Sequence, residues 1–163
     1  MTTPIKTLLL AVVLLFGSSQ VGYAQDFDKG DEAYFRGDYA AALKEWRPLA
    51  FRGDANAQYL LGGMYRNGYG VTQDNREAVK WYRLAAEQGL AYAQTSLGIM
   101  YGNGEGVIQD KVYAHMWYNI AASDGNEPAK ERRDIVTKEL TPSQLEEATR
   151  LARECVKKEY KGC

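Results

Sequence analysis

His115 is the single histidine of this 163-residue chain, and its two cysteines, Cys155 and Cys163, both fall in the last nine residues. One imidazole with no second ligand near it in sequence argues against a metal site and against Ser-His or Cys-His catalysis. His115 stands where Val79 stands 36 residues earlier, beside an apolar stripe, so a partly exposed packing role is expected. The cysteines lack C-x-x-C spacing, which argues against a redox pair. In an oxidising compartment, residues 156–162 can fold back over a helix end, Gly162 easing the turn. Such a loop would stabilise the terminus by about 2–3 kcal/mol; pairing between chains is the alternative. The carboxylates Glu146 and Glu147 share a predicted outer helix face with Arg150, Arg153 and Lys157, a solvated surface. No S-x-x-K nucleophile motif occurs. Gly68-x-Gly70 and Gly104-x-Gly106 lack the preceding strand and longer glycine pattern of a phosphate cradle. Trp81-Tyr82 and Trp117-Tyr118 would suit glycan stacking, but they lie at core spacing on a predicted helix. No catalytic, cofactor or metal residue is therefore assigned.

Composition narrows the class further. Twenty Lys and Arg face 21 Asp and Glu, a formal net charge of −1. A nucleic-acid binder needs a basic excess, so that partner is not expected. With 45% hydrophobic and 12% aromatic residues the chain can build a core. Residues 1–24 read as a cleavable export signal: Lys6, an apolar run from Leu8 to Phe16, then Gly22 and Ala24 before Gln25. That run is about half the roughly 20 residues a spanning helix needs. No later run is long enough, so no stable membrane span is expected after cleavage. A periplasmic or secreted protein follows.

What organises the rest is an internal repeat. Residues 57–92 align without a gap on 93–128. Ala57-Gln58, Leu61-Gly62 and Tyr65 meet Ala93-Gln94, Leu97-Gly98 and Tyr101. The loop Asn67-Gly68-Tyr69-Gly70-Val71 meets Asn103-Gly104-Glu105-Gly106-Val107. Asp74, Ala78, Trp81-Tyr82, Ala85-Ala86 and Gly89 meet Asp110, Ala114, Trp117-Tyr118, Ala121-Ala122 and Gly125. A fixed period in this range signals a solenoid. Each unit predicts two helices. The first carries Ala57, Leu61 and Tyr65 at four-residue steps and ends at Asn67-Gly68. The second starts at Asp74 as N-cap, with Glu77 placed for a capping box. Helices this short are marginal alone in water, so repeats must stack.

The pattern A-Q-x-x-L-G-x-M-Y-x-N-G-x-G-V-x-Q-D, followed by W-Y-x-x-A-A-x-x-G, resembles the Sel1-like repeat, a relative of the tetratricopeptide repeat with a longer internal loop. The resemblance implies an all-α fold, an α-solenoid of antiparallel helix pairs with a protein-binding concave face. Upstream, Gly30, Gly37-Asp38-Tyr39, Ala42 and Trp46 keep the spacing of an ordinary tetratricopeptide unit. Downstream, one helix opens at Pro128-Ala129, and Thr141-Pro142-Ser143 caps a last one with Leu145, Ala148, Leu151, Ala152 and Cys155 facing inward. The expected organisation is one domain over 25–163: an N-terminal pair at 27–56, repeats at 57–92 and 93–128, and capping helices at 129–163.

By the tetratricopeptide analogy the first helix of each pair lines the inner face. That places Tyr59, Gly63, Arg66 and Asn67 inward in one repeat and Thr95, Ile99 and Asn103 in the next, with Tyr34 and Phe35 extending the surface. Tyr59, Tyr69 and Tyr92 fall outside the shared pattern and are expected at the surface, where rigid rings suit recognition. The resulting expectation is a non-catalytic adaptor of the bacterial envelope that binds a peptide segment or protein domain. A monomer is expected, with a dimer through an end pair or Cys163 as the alternative. The competing reading is a cell-wall glycan binder or a β-lactamase-like enzyme of the cysteine-rich Sel1 type. Those relatives carry a disulfide in each repeat, and neither repeat here contains cysteine.

Overall fold

The computed structural model describes residues 27–163; the expected export signal, with its expected cleavage site after Ala24, lies outside the described residues. Helices follow one another throughout: α1 over 27–35, α2 Tyr39–Phe51, α3 Ala55–Asn67, α4 Asn75–Ala86, α5 Ala91–Asn103, α6 Lys111–Ser123, α7 Glu127–Thr137 and α8 Pro142–Lys157. Among the described residues there is no strand. From α2 to α7 each helix packs on its successor, and α8 turns back onto α6. The chain is an all-α solenoid of antiparallel helix pairs.

Polar side chains start these helices. Asp38, Asp54 and Asn126 each accept a backbone N–H three residues on, and Asp74 and Asp110 each accept two. Thr141 and Gln144 form a full capping box at α8. The capping box expected at Asp74 does not form. The Asp74 N–H already donates to the Tyr65 carbonyl at 2.9 Å, so Glu77 has no donor to accept and pairs with Lys80 at 2.7 Å. Asp110 donates likewise to Tyr101 at 2.8 Å.

Glycine sets how closely the two helices of a pair approach. A Cβ on Gly62 would lie 2.7 Å from the Tyr82 ring, Gly98 faces Tyr118 in the same way, and Gly30 faces Trp46. The first pair thus uses the same contact with a three-residue connection, 36–38, where the two repeats use seven, 68–74 and 104–110. Trp46, Trp81, Tyr82, Trp117 and Tyr118 are all buried, each ring worth several kcal/mol to the core. The tryptophans therefore pack the core and offer no stacking ladder.

Other repeated residues fasten one unit to the next. The buried amides of Gln58 and Gln94 donate to the carbonyls of Ala50 and Ala86, at the end of the preceding pair. Gly68 and Gly104 end their helices in the left-handed conformation. Two residues on, Gly70 lies against the backbone of Tyr39, and Gly106 against that of Asn75. A side chain at either would strike the first turn of the preceding pair's second helix, which explains the glycine pattern without any phosphate.

At the other end Ala148, Ala152 and Cys155 are buried, and Leu145 and Leu151 are half-buried. Cys155 and Cys163 are joined within the chain, with sulfurs 2.08 Å apart. The closed tail reaches across to the turn between the repeats: Lys161 Nζ donates to the Glu87 carbonyl at 2.8 Å, and Tyr160 lies against Gly89.

Adjacent glycines should respond oppositely to alanine. Gly62→Ala forces a methyl into the Tyr82 ring and is expected to lower stability by about 1–3 kcal/mol. Gly63→Ala meets only the Tyr82 hydroxyl, at an ordinary 3.6 Å, and should raise stability by up to about 1 kcal/mol through helix propensity. Urea unfolding of the two variants checks both signs.

Candidate functional site

The first helix of each successive pair contributes to one groove of about 360 Å³. Its lining includes Tyr34 of α1, Tyr59, Gly63, Arg66 and Asn67 of α3, and Thr95 and Ile99 of α5. Seven of the nine residues expected on the inner face are thus brought together. Phe35 is 85% exposed and lies outside the groove, its ring edge-on to Tyr34. Asn103 lies in an adjoining hollow with Tyr118, Arg132 and Glu139, and its amide donates to Glu105 Oε1 at 2.7 Å. Thr95 is only 8% exposed; its hydroxyl donates to the Ala91 carbonyl at 2.8 Å and sits 3.3 Å from Asn126 Oδ1.

Sequence reasoning missed Tyr82, Ser96, Asn126, Pro128 and Arg132, which also line the groove. Tyr82 belongs to the core stripe, yet the missing side chain at Gly63 leaves its hydroxyl facing the groove. Burial pushes this phenol up to about 12, with the neighbouring Tyr59 adding to the shift and Arg66 and Ser96 opposing it. It stays a neutral hydroxyl that can donate or accept. Asn126 and Pro128 fall at the end of the second aligned repeat, where the two copies share no residue, and Arg132 lies beyond the repeat register.

Two of the three tyrosines expected at the surface shape the groove. Tyr92 is 60% exposed, with its ring 6.2 Å from that of Tyr59, so the pair spans the two repeats. Tyr69 instead stacks on Tyr39 at 4.4 Å, half-buried between loop and helix. Glu105 holds the corresponding loop position one repeat on and pairs with Arg66 at 2.9 Å. Burial raises the Glu105 carboxyl, but hydrogen bonds from Asn103 and Arg66 outweigh that and hold it below the ordinary carboxylate value. A wider hollow of about 580 Å³ lies on the exposed side of α2, between Lys44, Arg47, Phe51 and the Gly70 loop.

The groups able to carry chemistry lie apart from the groove. Glu147 and Glu154 both bridge to Arg150 on the exposed face of α8. No three His, Cys, Asp or Glu side chains among the described residues group as metal ligands. His115 is buried at 4% exposure, where a partly exposed ring was expected. The α7 helix covers it: His115 Nε2 lies 3.1 Å from Thr137 Oγ1, whose own proton goes to the Arg133 carbonyl at 2.8 Å. Nε2–H is therefore the donor, and Nδ1 has no partner.

A helical-repeat scaffold with one continuous concave groove is the class these features define. The Sel1 repeat profile matches residues 55–90 and 91–126, the two stretches that begin with α3 and α5. The chain carries two Sel1 repeats. It is similar to a protective antigen present in uropathogenic Escherichia coli strains, which displays an SLR fold. That likeness has a TM-score of 0.80 and 32% identity over 88% of this chain and 32% of the antigen. It is also similar to a Sel1 repeat protein from Oxalobacter formigenes, with a TM-score of 0.66 and 31% identity over 78% of this chain and 55% of that one. The chain thus spans about a third of the first structure's length and about half of the second's. No curated protein sequence matches it. Sel1 repeats typically form non-catalytic scaffolds for protein–protein interaction.

Burial lowers the His115 pKa from its ordinary 6.5, with Arg133 adding to the effect and Asp134 opposing it. Below that value the unfolded chain binds the proton more readily than the folded one. Stability should hold above pH 6.5 and fall as the pH drops through it, by at most about 1.4 kcal/mol per pH unit for one proton. Thermal melts from pH 7.5 to 5.0 should show this decline, and His115→Asn should shrink it.

Proposed function

We propose that this chain is a non-catalytic adaptor of the bacterial envelope that holds a segment of a partner protein along its concave groove. One observation carries the reading: the groove draws its lining from every helix pair and joins two rings, the half-buried Tyr59 and the exposed Tyr92, to amide and guanidinium groups. A rigid ring buries much area at low entropy cost, and amides satisfy an extended backbone. The Asn67 side chain is exposed and makes no hydrogen bond within the described residues, so its amide is available for that. An intrachain disulfide suits an oxidising compartment. No described helix is long and apolar enough to cross a membrane. The Escherichia coli relative is described as a protective antigen, which fits an envelope setting.

Gly63→Leu tests this reading without touching the core, because the new side chain projects into the groove beside the Tyr82 hydroxyl. Proteins co-purifying with the full chain from its own cells should be lost from the variant, while its melting curve is kept. Unchanged recovery with the variant would contradict the reading.

A further inference from the structure

The cations around the groove are unequally neutralised, and the difference bears on what the bound segment carries. Arg66 and Arg132 both reach the groove. Arg66 is matched by Glu105 at 2.9 Å. Beyond Arg132, Lys111 is matched by Glu139 at 2.8 Å, and on α7 Arg133 is matched by Asp134 at 2.8 Å. Arg132 has no carboxylate of its own among the described residues. The positions three and four residues away on α7 are Pro128, Ala129, Ile135 and Val136, none of them acidic. Among the described residues its polar neighbour is the Tyr118 hydroxyl, a phenol whose pKa burial raises despite the guanidinium beside it. A neutral phenol leaves the guanidinium charge uncompensated.

Arg132 also lies where two concavities meet. It lines the groove together with Tyr59 and Tyr92, and it lines the adjoining hollow that holds Asn103 and Tyr118. The aromatic part of the lining is Tyr34 on α1, Tyr59 on α3 and Tyr92 on α5. A segment lying along this face would meet both the rings and an unmatched guanidinium. A guanidinium fork binds a carboxylate through two parallel hydrogen bonds, which a solvated point charge does not.

We propose that the segment held by this groove carries an Asp or Glu side chain seated on Arg132, with an aromatic or aliphatic side chain against Tyr59 and Tyr92. This rests on the groove being the binding face. Panning a random dodecapeptide library against the full chain tests it. Selected peptides should be enriched in an acidic residue near an aromatic or aliphatic one, and Gly63→Leu should abolish their binding. Arg132→Gln should weaken the acidic peptides about tenfold, the effect of losing one charge-assisted contact, and leave their Asn or Gln analogues unchanged. Arg132→Glu should redirect selection towards Lys and Arg. Peptides that need Gly63 but show no acidic preference, or that ignore Arg132→Gln, would overturn the carboxylate assignment and leave the groove standing. A selection yielding no peptide sensitive to Gly63→Leu would overturn the groove reading, and this inference with it.

Discussion

The Tyr82 ring lies where Gly62 would otherwise carry a side chain, and the rest of the structure depends on that contact and its copies at Gly98–Tyr118 and Gly30–Trp46. Helices of 12 or 13 residues are too short to persist alone in water. They persist here because a bare glycine lets a large ring of the partner helix come down onto the backbone, removing apolar surface from water on both. The same close approach brings the Tyr82 hydroxyl through to the far side, beside Gly63, where it becomes part of the groove lining. Stability and recognition thus share one geometric element, and the two neighbouring glycines divide the work: Gly62 admits the ring and Gly63 leaves its tip uncovered.

Between repeats the backbone is repeated and the side chains diverge. Gln58 and Gln94 close the preceding pair's carbonyls, and the glycine loops seat on its backbone, so the stacking geometry recurs. One position within this frame is free to vary. In the first loop it is Tyr69, in ring contact with Tyr34 and Tyr39; in the second it is Glu105, bonded to Arg66. An aromatic contact and an ion pair fill equivalent places. Equivalent places in successive repeats can therefore carry different chemistry without any change in fold.

The fold was legible because its determinants are local and repeated. The 36-residue period, the aspartate caps, the Asn-Gly helix ends and the Trp-Tyr stripe each have a direct signature in sequence. Where reading failed, a tertiary contact had claimed a group that looked free. The Asp74 N–H was taken by Tyr65, which cancelled the capping box, and α7 buried His115. Seven groove residues followed from the tetratricopeptide analogy. Phe35 fell outside because its neighbour Tyr34 takes the groove position, leaving the Phe35 ring edge-on to it and 85% exposed. Arg132 could not be read at all. It lies on a helix without the repeat pattern, and its significance comes from Glu105, Asp134 and Glu139 being already paired with other cations.

The concave face as the seat of a partner is tested most directly by crosslinking in living cells, with a photoreactive phenylalanine analogue replacing Tyr59 in one strain and Lys80, exposed on α4, in another. A discrete protein adduct from position 59 and none from position 80 is the expected result. An adduct from position 80 alone, or equal adducts from both, would contradict the account and move recognition to the outer surface of the array.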